Sequence, residues 1–165
     1  VVALLAAMVV LIYWLFEFYY LKNQPETFVE ASLVFPRINR YVFAFALFAF
    51  LTSFLREIIK DMQDINGDSR YGCRTLPVVM GLNKIRYLLV FLIAITMVGL
   101  AWFQFVLFGT DQSAMALWLL STQVLLTVSA IMTLKSREPA SFGRLSTLMK
   151  IIMLSGLTSL IMLWF

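Results

Sequence analysis

The sequence predicts an all-α fold, a polytopic transmembrane helix bundle of five helices. Three observations predict it. The 165 residues are 62% hydrophobic and only 13% charged, and the mean hydropathy is +0.90, a value of membrane proteins. Five apolar runs approach or exceed the length needed to cross a hydrocarbon layer, about 20 residues at 1.5 Å each. The Lys and Arg residues collect between those runs, where topology accounts for them. For the same reason the net charge of +4 does not call for nucleic acid as a partner. One domain over residues 1–165 is expected, since no repeat, low-complexity tract or boundary interrupts the pattern.

The first run, Val1–Tyr20, opens "VVALLAAMVVLIYWLF" without an initiator Met, a preceding basic region or a cleavage site. It reads as a membrane helix entered partway, so the chain is expected to be the C-terminal portion of a longer protein. Its end, "YWLFEFYYLK", is an aromatic girdle of the kind found at a membrane interface, and Glu17 within it reads as an interfacial acid. The second run, Tyr41–Ile59, is short as a purely apolar stretch and must continue helically into the charged block that follows. Tyr87–Phe108, Ala114–Leu134 and Leu148–Phe165 complete the set.

The connections differ in character. The first, Leu21–Arg40, is polar and carries Pro25 and Pro36. The second holds Lys60, Arg70, Arg74, Lys84 and Arg86; the third, "GTDQS", has no basic residue; the fourth contains Lys135, Arg137 and Arg144 with Pro139 and Gly143. Basic residues in the second and fourth place both on the cytoplasmic side, in an integral, multi-pass protein. The first connection should then face outward, although it contains Lys22, Arg37 and Arg40.

The charged block "REIIKDMQDINGDSRYGCRTLP", Arg56–Pro77, is the feature that composition does not explain. With Glu57 at 0° and about 100° per residue, Asp61 falls near 40°, Asp64 near 340° and Asp68 near 20°. Four carboxylates share one helical stripe if the helix persists; if Gly67 ends it, a turn supplies Asp68. Lys60 lies about 60° to one side. Such a stripe repels itself and calls for a cation. Oxygen-only ligands favour a hard ion, and Mg²⁺, which keeps waters and bridges carboxylates to substrate phosphates, fits well. Lys60, Arg70 and Arg74 can neutralise phosphate oxygens alongside. The sequence has no His and a single Cys, Cys73, which excludes zinc, a Ser–His–Asp machine and an internal disulfide.

The segment "REIIKDMQDINGDSRYGCRTLPVVMG" resembles the second aspartate-rich motif of the UbiA superfamily of intramembrane prenyltransferases. That motif reads D-x-x-x-D followed by x-x-x-G, here Asp64, Asp68 and Gly72. The "KD" at Lys60–Asp61 and the "RTLP" that follows are most similar to the branch containing the digeranylgeranylglyceryl phosphate synthases. Homogentisate prenyltransferases and chlorophyll synthases share a related pattern. The remainder of the chain is similar only in its helix pattern. The superfamily has nine helices and a first motif, N-x-x-x-D-x-x-x-D, near the second; none stands before Val42. By this resemblance the chain corresponds to helices five to nine of a UbiA-type fold, lacks the N-terminal half, and is not expected to catalyse alone.

The resemblance implies Mg²⁺-dependent transfer of a prenyl group from an isoprenoid diphosphate, geranylgeranyl diphosphate first among them, to a lipophilic acceptor. A glycerol ether phosphate is the acceptor the branch suggests, with homogentisate, a quinone precursor or a chlorophyll-type acceptor as alternatives. It implies Asp64 and Asp68 as catalytic metal ligands, Asp61 as a third ligand, and Lys60, Arg70 and Arg74 as diphosphate contacts. Phe45, Phe48 and Phe50 are candidates for lining a prenyl tunnel. Two rival classes fit the residues less well. The CDP-alcohol phosphotransferase motif fails, because Ile65 stands where Gly is required and no later acidic pair follows. A cation-binding transporter or scaffold half would put its polar residues near the membrane midplane, whereas these gather at one end.

Overall fold

The computed structural model describes the backbone of every residue except 111, 137–140 and 165, and no side chain is described for these or for 25–27, 30, 163 and 164. The expected Arg137 and Pro139 of the fourth connection thus lie outside the described residues. Among the described residues there is helix but no strand: α1 (Val2–Lys22), α2 (Pro25–Arg70), α3 (Leu76–Met80), α4 (Leu82–Phe108), α5 (Ser113–Lys135) and α6 (Phe142–Thr158), which tightens into a 3-10 helix over Ser159–Trp164. Five of these helices are long and apolar enough to cross a membrane: α1, α2 from Ala31, α4, α5 and α6 continued to Met162. The chain is an all-α polytopic membrane protein, as the hydropathy pattern predicts.

Element bounds differ from the apolar runs in instructive ways. α2 has 46 residues, more than twice the number a crossing requires, and absorbs most of the expected first connection. Only Asn23 and Gln24 separate it from α1. Pro25 occupies its first position, where the missing N–H would have no intrahelical partner anyway. Pro36 lies inside the helix and forfeits one backbone bond. α4 begins five residues before Tyr87 because Gly81, at φ +81° and ψ 150°, breaks the chain between α3 and α4 in a conformation open to glycine.

The chain divides into two compact units, Val1–Ser53 and Phe54–Phe165. In the first, an aromatic cluster joins α1 to the start of α2. The buried Phe35 ring stands 5.7 Å from Trp14, 5.4 Å from Phe18 and 5.8 Å from Phe28. Tyr13 and Glu17 stand one turn apart on α1 and interact electrostatically.

The second unit contains the end of α2 and everything after it. Leu55, Ile58, Ile59 and Met62 are fully buried, a three-and-four spacing that turns one face of α2 inward. α5 packs against both α4 and α6. Ile85, Leu89 and Ile93 of α4, Met115, Leu119 and Leu126 of α5, and Leu145, Met149 and Ile152 of α6 fill the interior. Polar groups inside are satisfied by helices. The buried Gln104 donates from Nε2 to the Ala116 carbonyl at 3.1 Å, and its Oε1 accepts from Gln123 Nε2 at 2.7 Å. Thr96 and Thr133 bond back to carbonyls four residues earlier. At one end, Arg86 Nη1 donates to the Ser136 carbonyl at 2.8 Å, so the second and fourth connections meet at the same end of the α4–α5 pair.

Candidate functional site

The helical stripe exists. α2 continues unbroken through Gly67 to Arg70, so Glu57, Asp61, Asp64 and Asp68 all ride on one helix. On the same wheel the buried Leu55, Ile58, Ile59 and Met62 centre near 150°, whereas the carboxylates centre near 10°. Packing therefore takes one side of α2 and leaves the acids on the other. Asp64 is exposed, while Glu57, Asp61 and Asp68 are half-buried.

What ends the helix is Gly72, five residues later than the Gly67 stop the sequence allows. Gly72 adopts φ +71°. Its N–H reaches the Ser69 carbonyl at 3.4 Å, and the Cys73 N–H reaches the Asp68 carbonyl at 2.9 Å. These two bonds form a Schellman cap, which needs a left-handed residue at that position. The glycine of the D-x-x-x-D-x-x-x-G pattern thus stops the helix one turn beyond its last acid. The chain then turns back, and Thr75 Oγ1 donates to Asp68 Oδ2 at 3.2 Å. Thr75 also stands at the N-cap position of α3, whose Pro77 is buried. Its tie to Asp68 was not expected from the sequence, although "RTLP" belongs to the quoted motif.

Electrostatics around the stripe is one-sided. Asp61 interacts with Asp68, Glu57, Lys60 and Asp64, and three of those four carry its own sign. Arg56 and Glu57 form the one salt bridge among the described residues, at 3.4 Å and about one-third exposed. Of the expected phosphate contacts, Lys60 is exposed and flanks the stripe. Arg74 is exposed in the turn after Gly72. Arg70 is exposed but lies about 150° round the helix from the acids, so α2 does not bring it to them. Phe45, Phe48 and Phe50 are half-buried and belong to the first unit. Cys73 is a free, exposed thiol.

Among the described residues no three His, Cys, Asp or Glu side chains converge as a metal-binding set. Helix geometry explains this. Asp61 and Asp68 are seven residues, about 10 Å, apart along the axis, too far to share one ion, whereas Asp61/Asp64 and Asp64/Asp68 are each one turn apart. The donor chemistry suits a hard cation, all oxygen and no nitrogen or sulfur, but one helix supplies pairs of ligands and no closed shell.

Fold and site together define a class: a polytopic helical membrane protein whose one strongly charged helix face lies at the end of a bundle, turned away from the core. Comparison with known proteins narrows it. The chain is 31% identical over 136 residues to the digeranylgeranylglyceryl phosphate synthase of Methanosphaera stadtmanae, covering 82% of this chain and 49% of the relative. It is 26% identical over the same share of the chain to the synthase of that name from Korarchaeum cryptofilum, covering 48% of it. The Thermococcus kodakarensis synthase is 32% identical over 106 residues, 64% of this chain and 37% of the relative. The chain spans about half the length of the curated relatives it matches over most of its own length. The resemblance carried by the motif thus extends to most of the chain, and these relatives are enzymes by name. No protein-family model matches, and no solved structure does.

Proposed function

We propose that this chain is the part of a UbiA-type membrane prenyltransferase that carries the second aspartate-rich motif. It would act on an isoprenoid diphosphate, with geranylgeranyl diphosphate the first choice, and a lipophilic acceptor bearing a glycerol phosphate. The observation that carries this is the similarity to digeranylgeranylglyceryl phosphate synthases over 82% of the chain. The capped acidic stripe adds support from chemistry.

In this proposal Asp64 and Asp68, with Asp61 one turn before, hold Mg²⁺ on the uncovered face of α2. When bound, Mg²⁺ supplies charge stabilisation to the diphosphate leaving group. Thr75 fixes the Asp68 carboxylate, since a donor on one oxygen limits its rotation. Lys60 and Arg74 place positive charge beside the phosphate oxygens; Arg70 is the weaker candidate because it lies round the helix. Overall, the C–O bond between prenyl carbon and diphosphate breaks, and a C–O bond to the acceptor hydroxyl forms as its proton leaves. A second acidic wall is needed, because α2 offers ligand pairs only. We assign that wall to a segment corresponding to the other half of the relatives, with the site on the cytoplasmic side.

The test is transfer in membranes containing the chain alone, or together with the N-terminal half of the Methanosphaera stadtmanae synthase. Both receive Mg²⁺, labelled geranylgeranyl diphosphate and geranylgeranylglyceryl phosphate. The expected result is labelled product with both halves and none after EDTA, Asp64→Ala or Asp68→Ala. Full turnover in both alanine variants would sink the site assignment. Absence of product above the relative's half alone would sink the functional proposal.

A further inference from the structure

Lys150 is the one basic residue of the last crossing that lies near its middle. It is the ninth of the 21 residues from Phe142 to Met162. It is exposed, and it forms no ion pair or hydrogen bond with a described residue. A lysine near the centre of a membrane helix is unfavourable by about 2.5–3.5 kcal/mol on insertion scales and calls for an anionic partner or a watered cavity. Full snorkelling belongs to lysines near helix ends.

The surroundings say which face of α6 carries it. The Gln63 side chain of α2 lies against Gly143: its Nε2 stands 3.7 Å from where a Cβ on Gly143 would be. Lys150 is seven residues beyond Gly143, two turns along and on the same face. Consecutive crossings alternate in direction, so α6 runs opposite to α2. From that contact, seven residues along α6 lead toward the part of α2 that precedes Gln63, which holds Lys60 and Arg56. Arg56 is neutralised by Glu57. Lys60 stands one turn before Gln63 and flanks the carboxylates. Lys150 extends that basic border onto α6 and deeper into the membrane.

We propose that Lys150 is an anion-binding residue that, beside Lys60, receives a phosphate group of a lipid-borne substrate within the membrane. It deepens the function proposed above and rests on it for the identity of the lipid. A phosphate oxyanion is the shared chemistry, and it has two sources, the diphosphate of the prenyl donor and the phosphomonoester of the acceptor.

The experiment is equilibrium binding to the full chain in phosphatidylcholine nanodiscs. Labelled geranylgeranyl diphosphate and labelled geranylgeranylglyceryl phosphate are the two probes. Lys150→Met, which suits a lipid-facing site, and Lys150→Arg, which keeps the charge, are compared with wild type at matched melting temperature. The expected result is at least about tenfold weaker binding of one probe by Lys150→Met, the loss of one charge-assisted hydrogen bond, with most of it restored by Lys150→Arg. Loss confined to the diphosphate assigns the donor; loss confined to the monoester assigns the acceptor. Unchanged binding of both probes by Lys150→Met, or no binding by wild type, overturns the inference. The two proposals separate cleanly. Prenyl transfer with Lys150-independent binding leaves the enzyme and removes this site, whereas Lys150-dependent binding without transfer does the reverse.

Discussion

Replacing Asp64 by Asn should raise stability while abolishing prenyl transfer. Asp64 is exposed, sits one turn from both Asp61 and Asp68, and makes no hydrogen bond with another described residue, so the amide breaks nothing. It does remove two like-charge helical pairs. Each such pair is unfavourable by about 0.2–0.5 kcal/mol, and the opposite-charge pair with Lys60, four residues before, offsets one of them, which leaves a net gain of about 0.2–0.5 kcal/mol, smaller in salt because the site is solvated. The sign is the informative part. A carboxylate kept for folding loses stability on neutralisation, whereas one kept for a ligand gains it. The assay pairs thermal unfolding in detergent, with and without Mg²⁺, with transfer in membranes containing the chain and the N-terminal half of the Methanosphaera stadtmanae synthase. On the proposed site assignment, Mg²⁺ should stabilise wild type more than Asp64→Asn, because the variant has lost the carboxylate common to both one-turn pairs. A variant that melts below wild type, or that keeps full Mg²⁺-dependent turnover, would refute the reasoning.

Thr75→Val keeps the shape of the side chain but removes its donor to Asp68. If Asp68 holds Mg²⁺ as proposed, the Mg²⁺ concentration for half-maximal transfer should rise about tenfold, the scale of a lost partner to a metal ligand. Gly81→Ala should lower stability by about 1–3 kcal/mol, since φ +81° with ψ 150° lies in glycine territory even though no atom blocks a Cβ. Gly67→Ala should do the opposite and raise it by up to about 1 kcal/mol, because this glycine is inside a helix with open space around it. Both are read by thermal unfolding in the same detergent. Gln104→Leu strands the Gln123 amide and removes the second donor on the Ala116 carbonyl, which keeps its helical bond; reversible unfolding in mixed micelles should show a loss of about 1–2 kcal/mol, given the modest strength of such bonds in membranes.

The crossings were legible because a membrane helix is specified by length and apolarity alone. α1, α4 and α5 accordingly follow their apolar runs to within a few residues at most ends. The first half of α2 was not legible as helix. Pro25, Pro36 and the charges of Leu21–Arg40 carry the composition of a loop, yet proline at a first helical position disturbs nothing, and one interior proline removes a single bond. The stripe was legible because four acids at helical spacing point the same way whatever surrounds them. Its end was ambiguous, since Gly67 and Gly72 are equal candidates in sequence. Only the backbone shows which adopts positive φ. The Thr75–Asp68 tie depends on the turn between them, and the Gln104–Gln123 pair joins residues 19 apart on different helices. Neither leaves a periodic signature. The missing ligand shell is a third such case, for a stripe announces carboxylates without saying how many can reach one ion.

The Gln104–Gln123 pair has a consequence for biogenesis. As α4 leaves the ribosome, its Gln104 amide has no partner that lipid can provide. Its carbonyl oxygen and one N–H are satisfied only by α5, across a connection of four residues, 109–112. The two helices should therefore partition from the translocon as a hairpin, the second releasing the first. A nascent chain ending at Phe108 would then stay crosslinked to the translocon longer than one ending at Lys135, and equal release of the two would argue that each helix enters the lipid by itself.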